Sequence, residues 1–194
     1  MVTFLDAAHH LRRVVPISRW TPVLGLAALL LCLLLWRRLA GRFGWRPVPT
    51  LLALLSLAGA LALTLSPRGW WGNHKSLAQC LPSDWSQVAG AVAKVGANLE
   101  SLLNVAMLVP LGVALVLATR RVGWPALLVA LLPAGIEMVQ TVIPGRQCSP
   151  TDYFANALGG LLGVAAGALV DRWWRRRERQ AESAAQPPAA FTSS

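Results

Sequence analysis

Residues 124–170 read WPALLVALLPAGIEMVQTVIPGRQCSPTDYFANALGGLLGVAAGALV, two long apolar runs separated by a short link rich in turn-forming residues. A helix that crosses the hydrocarbon core of a bilayer takes about 20 apolar residues, with about 17 as the lower limit. The backbone must satisfy its own hydrogen bonds there, because no water is present to do so. The runs at 124–143 and 153–170 meet that requirement, and so do three further runs at 20–36, 48–66 and 97–119. The expected fold class is therefore all-α, a multi-pass transmembrane helical bundle of about five spans.

Composition supports the same reading. Of the 194 residues, 55% are hydrophobic and only 13% are charged, a balance that excludes a soluble domain with a charged surface. A net charge of +10 would suit a nucleic-acid partner, but the 18 Lys and Arg residues flank the apolar blocks instead of forming an aromatic-interleaved groove. Nucleic acid is accordingly not an expected partner, and membrane lipid is. Trp20, Trp36, Trp45, Trp70, Trp71, Trp124, Trp173 and Trp174 stand at block ends, where an aromatic belt sits at headgroup level. With five spans, the side holding Arg37, Arg38, Arg120, Arg121 and the basic run at 172–179 carries eleven basic residues against seven on the other. The positive-inside rule then puts the C-terminus in the cytoplasm and the N-terminus outside.

The chain divides accordingly. Residues 1–19 form an N-terminal segment with amphipathic character, 20–66 the first two spans, and 67–96 a polar extracytoplasmic loop containing His74, Lys75, Asp84 and Trp85. Residues 97–171 form a core of three spans, and 172–194 a basic tail whose Ala, Pro, Ser and Gln content predicts disorder. The first span lacks a following small-residue cleavage site and is read as retained rather than as a signal peptide.

Polar residues inside spans are costly, about 2.5–3.5 kcal/mol for an Asp on the insertion scale, so each needs a reason. Glu137 and Gln140 share one face of the fourth span, Asp152 and Asn156 one face at the start of the fifth, and Glu100 and Asn104 one face of the third. All six fall toward the same side of the membrane. At 1.5 Å per residue, Glu137 lies about 9 Å below the end of its helix and Asn156 about 6 Å below the start of its own. Between them, Arg146 is placed to reach back over the cluster as counter-ion to Glu137 and Asp152. Asp152 also suits the N-cap of the fifth helix, with Thr151 as the neighbouring candidate.

The ordered set Glu137, Gln140, Pro144-Gly145-Arg146, Asp152, Asn156, Gly159-Gly160 and Gly163, together with Asn104 and Pro110-Leu111-Gly112 upstream, resembles the pattern of the VanZ-like family. The chain departs from that pattern at Leu108 and Val109, where an aromatic often precedes the Pro step. The resemblance implies a bacterial cell-membrane protein of a family named for a member that raises resistance to the glycopeptide teicoplanin. It implies no settled reaction.

The expected function is binding of a lipid headgroup or a cell-wall-related ligand, a wall precursor or glycopeptide included, by Glu137, Gln140, Arg146, Asp152, Asn156, Asn104 and Glu100, with lowered glycopeptide sensitivity as the outcome. Structural glue between helices is the plain alternative. Catalysis is weaker, because His9, His10 and His74 lie outside the cluster and no Ser–His pairing is visible. Transport is weaker still, with no inverted repeat or broken-helix pair. No cofactor or metal is called for. Ala155, Gly159, Gly163 and Gly167 recur every four residues and form a smooth helix face for close packing, within the chain or against a second copy in a homodimer. Cys32 lies in a span, whereas Cys80 and Cys148 fall in two loops on one side, where a disulfide and two free thiols are equally compatible with the sequence.

Overall fold

In the computed structural model, residues 18, 20–67 and 80–185 are described. Among them are six helices and no strand: α1 (Thr21–Phe43), α2 (Pro47–Thr64), α3 (Trp85–Ala93), α4 (Leu99–Thr119), α5 (Gly123–Gln140) and α6 (Pro150–Ala185). Five of these, all but α3, are long and apolar enough to cross a membrane. The N-terminal segment, Arg19, Trp70, Trp71, His74 and Lys75 lie outside the described residues.

Helix ends follow local chemistry. Proline occupies the first turn of α1 and α2, where a missing N–H costs nothing. The Asn98 side chain accepts from the Ser101 N–H at 2.8 Å and starts α4, and Asp84 starts α3 by accepting from Gln87 N–H at 3.0 Å. Hydrogen bonds from Ser86 and the Gln87 N–H hold the exposed Asp84 carboxyl below its ordinary pKa.

Several boundaries differ from the sequence expectation. Helix α1 runs on past Trp36 through Arg37, Arg38 and Arg42, and stops at Gly44, whose left-handed φ of 64° closes it. Arginines end an apolar run without ending a helix, because their stems remain helical while their heads seek water. Helix α5 stops at Gln140 instead of Ile143, where Thr141, Val142 and Ile143 tighten into three-residue turns ahead of Gly145 at φ 72°. Helix α6 continues to Ala185, so the disorder expected from residue 172 does not hold over 172–185. Its 36 residues span about 54 Å, well beyond a hydrocarbon core of about 30 Å. Four-residue pairing of Asp171 with Arg175 supports the helix past the membrane boundary.

The most extensive helix contact is between α4 and α6, with α5 also against α6, α2 against α4, and α1 chiefly against α2. Leu108, Leu111, Val116, Val129 and Val164 are almost fully enclosed at the centre. Leu26, Leu30, Leu33 and Leu34 of α1 remain exposed, as a lipid-facing helix requires. The α4–α6 contact depends on the absence of side chains. A Cβ at Gly159 would lie 1.8 Å from the Val105 carbonyl oxygen, one at Gly163 2.2 Å from that of Val109, and one at Gly167 2.9 Å from that of Val113. Each four-residue step along α6 thus meets a four-residue step along α4, backbone against backbone. Ala155, fully buried, continues that spacing.

Candidate functional site

The link between α5 and α6 sets the site. Pro150 opens α6, and Ser149 before it caps the helix, its Oγ accepting from the Asp152 N–H at 3.3 Å. In a capping box the residue three further on would return the favour by accepting from the cap's own N–H. Here Glu137 of α5 does so instead, its Oε2 accepting from Ser149 N–H at 2.6 Å. Asp152 is therefore not the N-cap expected from sequence. Its carboxylate is released from the helix start and faces Asn104 and, within electrostatic range, Glu100 of α4.

Arg146 corrects a second expectation. Its Nε donates to the Ser66 carbonyl at 2.9 Å and its Nη2 to the Leu63 carbonyl, and among the described residues it forms no ion pair with Glu137 or Asp152. Gln140 joins it, with Nε2 donating to the Thr64 carbonyl at 3.1 Å. The last turn of α2 has carbonyls with no intrahelical partner and carries the negative end of the helix dipole, so a cation and an amide there satisfy groups that lipid could not. The hydroxyls of Thr50, Ser56 and Thr64 bond back to carbonyls four residues earlier in their own helix region and take no part in the cluster.

The seven expected residues thus separate. Glu137 secures the start of α6, and Gln140 and Arg146 secure the end of α2. Glu100, Asn104 and Asp152 face one another, and Asp152 also acts on Glu137 through its charge. Asn156, 2% exposed, lies one turn deeper on the face of Asp152, with its Oδ1 buried and unpaired. Glu100 is exposed, Asn104 and Asp152 half-buried, and Glu137 buried.

Beside Glu137 opens a cavity of about 340 Å³. Its wall is apolar, from Leu81, Pro82, Ala134, Met138, Tyr153 and Phe154, and Glu137 and Ser149 supply the polar contribution. A disulfide joins Cys80 to Cys148, with Cα atoms 5.7 Å apart, and both cysteines line the cavity. The bond ties the segment before α3 to the α5–α6 link, so the short surface helix and the capping turn are held across one opening. Sequence spacing carries no signal for this cavity, since its wall residues come from three separate stretches.

A second polar cluster lies at the other end of the bundle. Asp171, 6% exposed, receives Arg175 Nε at 2.7 Å and Nη2 at 2.6 Å, while Arg120 Nε stands 3.9 Å away. Arg120 ends α4 in a left-handed conformation, φ 54°, and its carbonyl accepts from Arg175 at 3.2 Å. The four-residue spacing of Asp171 and Arg175 is the one sequence signal for this staple; the link to Arg120 has none.

Neither the curated proteins nor the solved structures contain a match to this chain. A family model described as VanZ/LLP1 matches residues 51–171, a stretch that begins in α2 and ends at Asp171, covering both capping clusters and, of the staple, Arg120 and Asp171 but not Arg175. With its match over more than half the chain, this protein belongs to the VanZ/LLP1 family.

Proposed function

We propose that this VanZ-like membrane protein binds an amphipathic ligand of the bacterial envelope, a lipid or a cell-wall-related molecule, in the cavity beside Glu137, and thereby lowers sensitivity to glycopeptides of the teicoplanin type. The observation that carries the reading is the cavity itself: apolar walls around one buried carboxylate, the pattern of a site that holds an apolar body and orients a polar end. Asp152, Asn104 and Glu100 extend the polar surface toward α4.

The cavity belongs on the extracytoplasmic side in this reading. The excess of basic residues at the opposite end of the spans supports that orientation, and so does the Cys80–Cys148 disulfide, since such bonds persist in oxidising compartments. For Gln140 and Arg146 a structural role is favoured, because Gln140 Nε2 and Arg146 Nε and Nη2 each donate to a carbonyl at the end of α2. The ligand therefore meets Glu137 and its acidic neighbours rather than a guanidinium.

The test fills the cavity without touching the caps. Ala134→Phe should leave folded, membrane-inserted protein, judged by detergent-phase size exclusion, and abolish protection against teicoplanin in a host that depends on this chain. Protection at the wild-type level in that variant would sink the reading.

A further inference from the structure

We infer that the polar end of the ligand is a primary ammonium, and that the occupant is an aminophospholipid from the surrounding leaflet. This rests on the cavity being a ligand site, as proposed above, and specifies what it selects. Asp152 lies within electrostatic reach of both Glu137 and Glu100, and among the described residues no arginine, lysine or histidine forms an ion pair with any of the three. At the other end of the bundle, the same kind of buried carboxylate, Asp171, has two arginines. Lipid does not supply a counter-charge from its acyl region, so an acidic group on a cavity wall selects a ligand that brings a cation with it.

Hydrogen bonding points the same way. Glu137 accepts one N–H, from Ser149 to Oε2, and among the described residues no donor reaches Oε1. It lines the cavity while being 9% exposed, so a donor arriving through the cavity is what would reach it. Deeper on α6, the Oδ1 of Asn156 is a further acceptor without a donor. The Ser149 and Tyr153 hydroxyls on the wall can donate or accept, but no lining residue is a cation, and a primary ammonium offers three charged N–H groups. At about 340 Å³ the cavity lies at the low end of small-molecule sites, about 300–1,000 Å³. That volume suits part of a phospholipid.

The experiment adds phosphatidylethanolamine, phosphatidylcholine and phosphatidylglycerol of one acyl composition to the delipidated full chain and reads retained lipid by native mass spectrometry. Phosphatidylethanolamine should be retained about tenfold over the other two, the ratio a single charge-assisted hydrogen bond supplies. In Glu137→Gln that preference should fall to about one. The amide oxygen still accepts from Ser149, so α6 keeps its start, and intact helicity by circular dichroism checks this. Asp152→Asn, which leaves the cap untouched, should reduce the preference partway. Equal retention of the three lipids overturns the ammonium assignment while leaving the cavity a lipid site. Absence of retained lipid in both the wild type and Ala134→Phe overturns the cavity reading as well. An amine-bearing lipid-linked muropeptide, added as a fourth competitor and retained over phosphatidylethanolamine, would transfer the site to wall precursors and overturn the phospholipid assignment.

Discussion

The two ends of the bundle use carboxylates in opposite ways. At the end of α4 and along α6, Asp171 is clasped by Arg175 and approached by Arg120, which also reaches Glu178 at 3.5 Å, so charge is balanced within the chain. At the start of α4 and α6, Glu100, Asp152 and Glu137 are grouped with amides and an N–H, and Arg146 of the α5–α6 link donates to carbonyls at the end of α2. The first arrangement pairs its carboxylate with cations, although Asp171 Oδ1 itself has no hydrogen-bond partner among the described residues. The second has no cation paired with its carboxylates among the described residues, and it lies beside a cavity.

The α4–α6 contact joins these ends, and its tightness changes between them, so it yields the largest effect. Gly159→Ala, whose Cβ would meet a carbonyl oxygen at 1.8 Å, should destabilise the bundle by about 3 kcal/mol, toward the top of the overpacking range. Gly167→Ala, at 2.9 Å, should cost about 1 kcal/mol. Thermal unfolding in detergent checks the gradient, with Gly135→Ala, where a Cβ has open space, as the neutral reference. Equal losses at Gly159 and Gly167 would mean that α4 and α6 do not converge as described.

A smaller effect distinguishes brace from site. Asp171→Asn leaves Arg120 and Arg175 without their shared carboxylate, and should cost about 1–2 kcal/mol, reduced from a fully buried pair because both arginines are more than a third exposed. Glu137→Gln keeps its acceptor for Ser149 and should cost under about 1 kcal/mol, with its consequence in ligand retention instead. If Glu137→Gln proved the more destabilising of the two by chemical denaturation, the Glu137 cluster would be a brace like the Asp171 one.

The smallest effect lies on the surface helix that borders the cavity. The pKa of Asp84 is lowered in the folded protein, so its capping contribution to α3 is present above the ordinary carboxylate range and is lost as pH falls through the lowered value. Hydrogen exchange of α3 should therefore quicken below about pH 4, and Asp84→Ala should remove that dependence.

Much of this architecture is legible in the chain alone. Apolar length marks the five spans, because the bilayer imposes its thickness on each segment independently. The recurrence of Ala155, Gly159, Gly163 and Gly167 marks the close-packing face, because helical periodicity is local. Helix starts are less legible, since Asp152 suits the cap of the fifth helix by residue type, yet Ser149 before Pro150 supplies it. Partnership was another matter. Sequence order put Arg146 beside two carboxylates of opposite charge, yet the end of α2 offered it unsatisfied carbonyls at closer quarters, and Glu137 found the N–H of Ser149. The cavity, the disulfide across it and the Asp171 staple likewise come from residues far apart in the chain. Span and periodicity are properties of one helix, whereas the choice of partner depends on where the ends of several helices meet, and only the tertiary structure decides that.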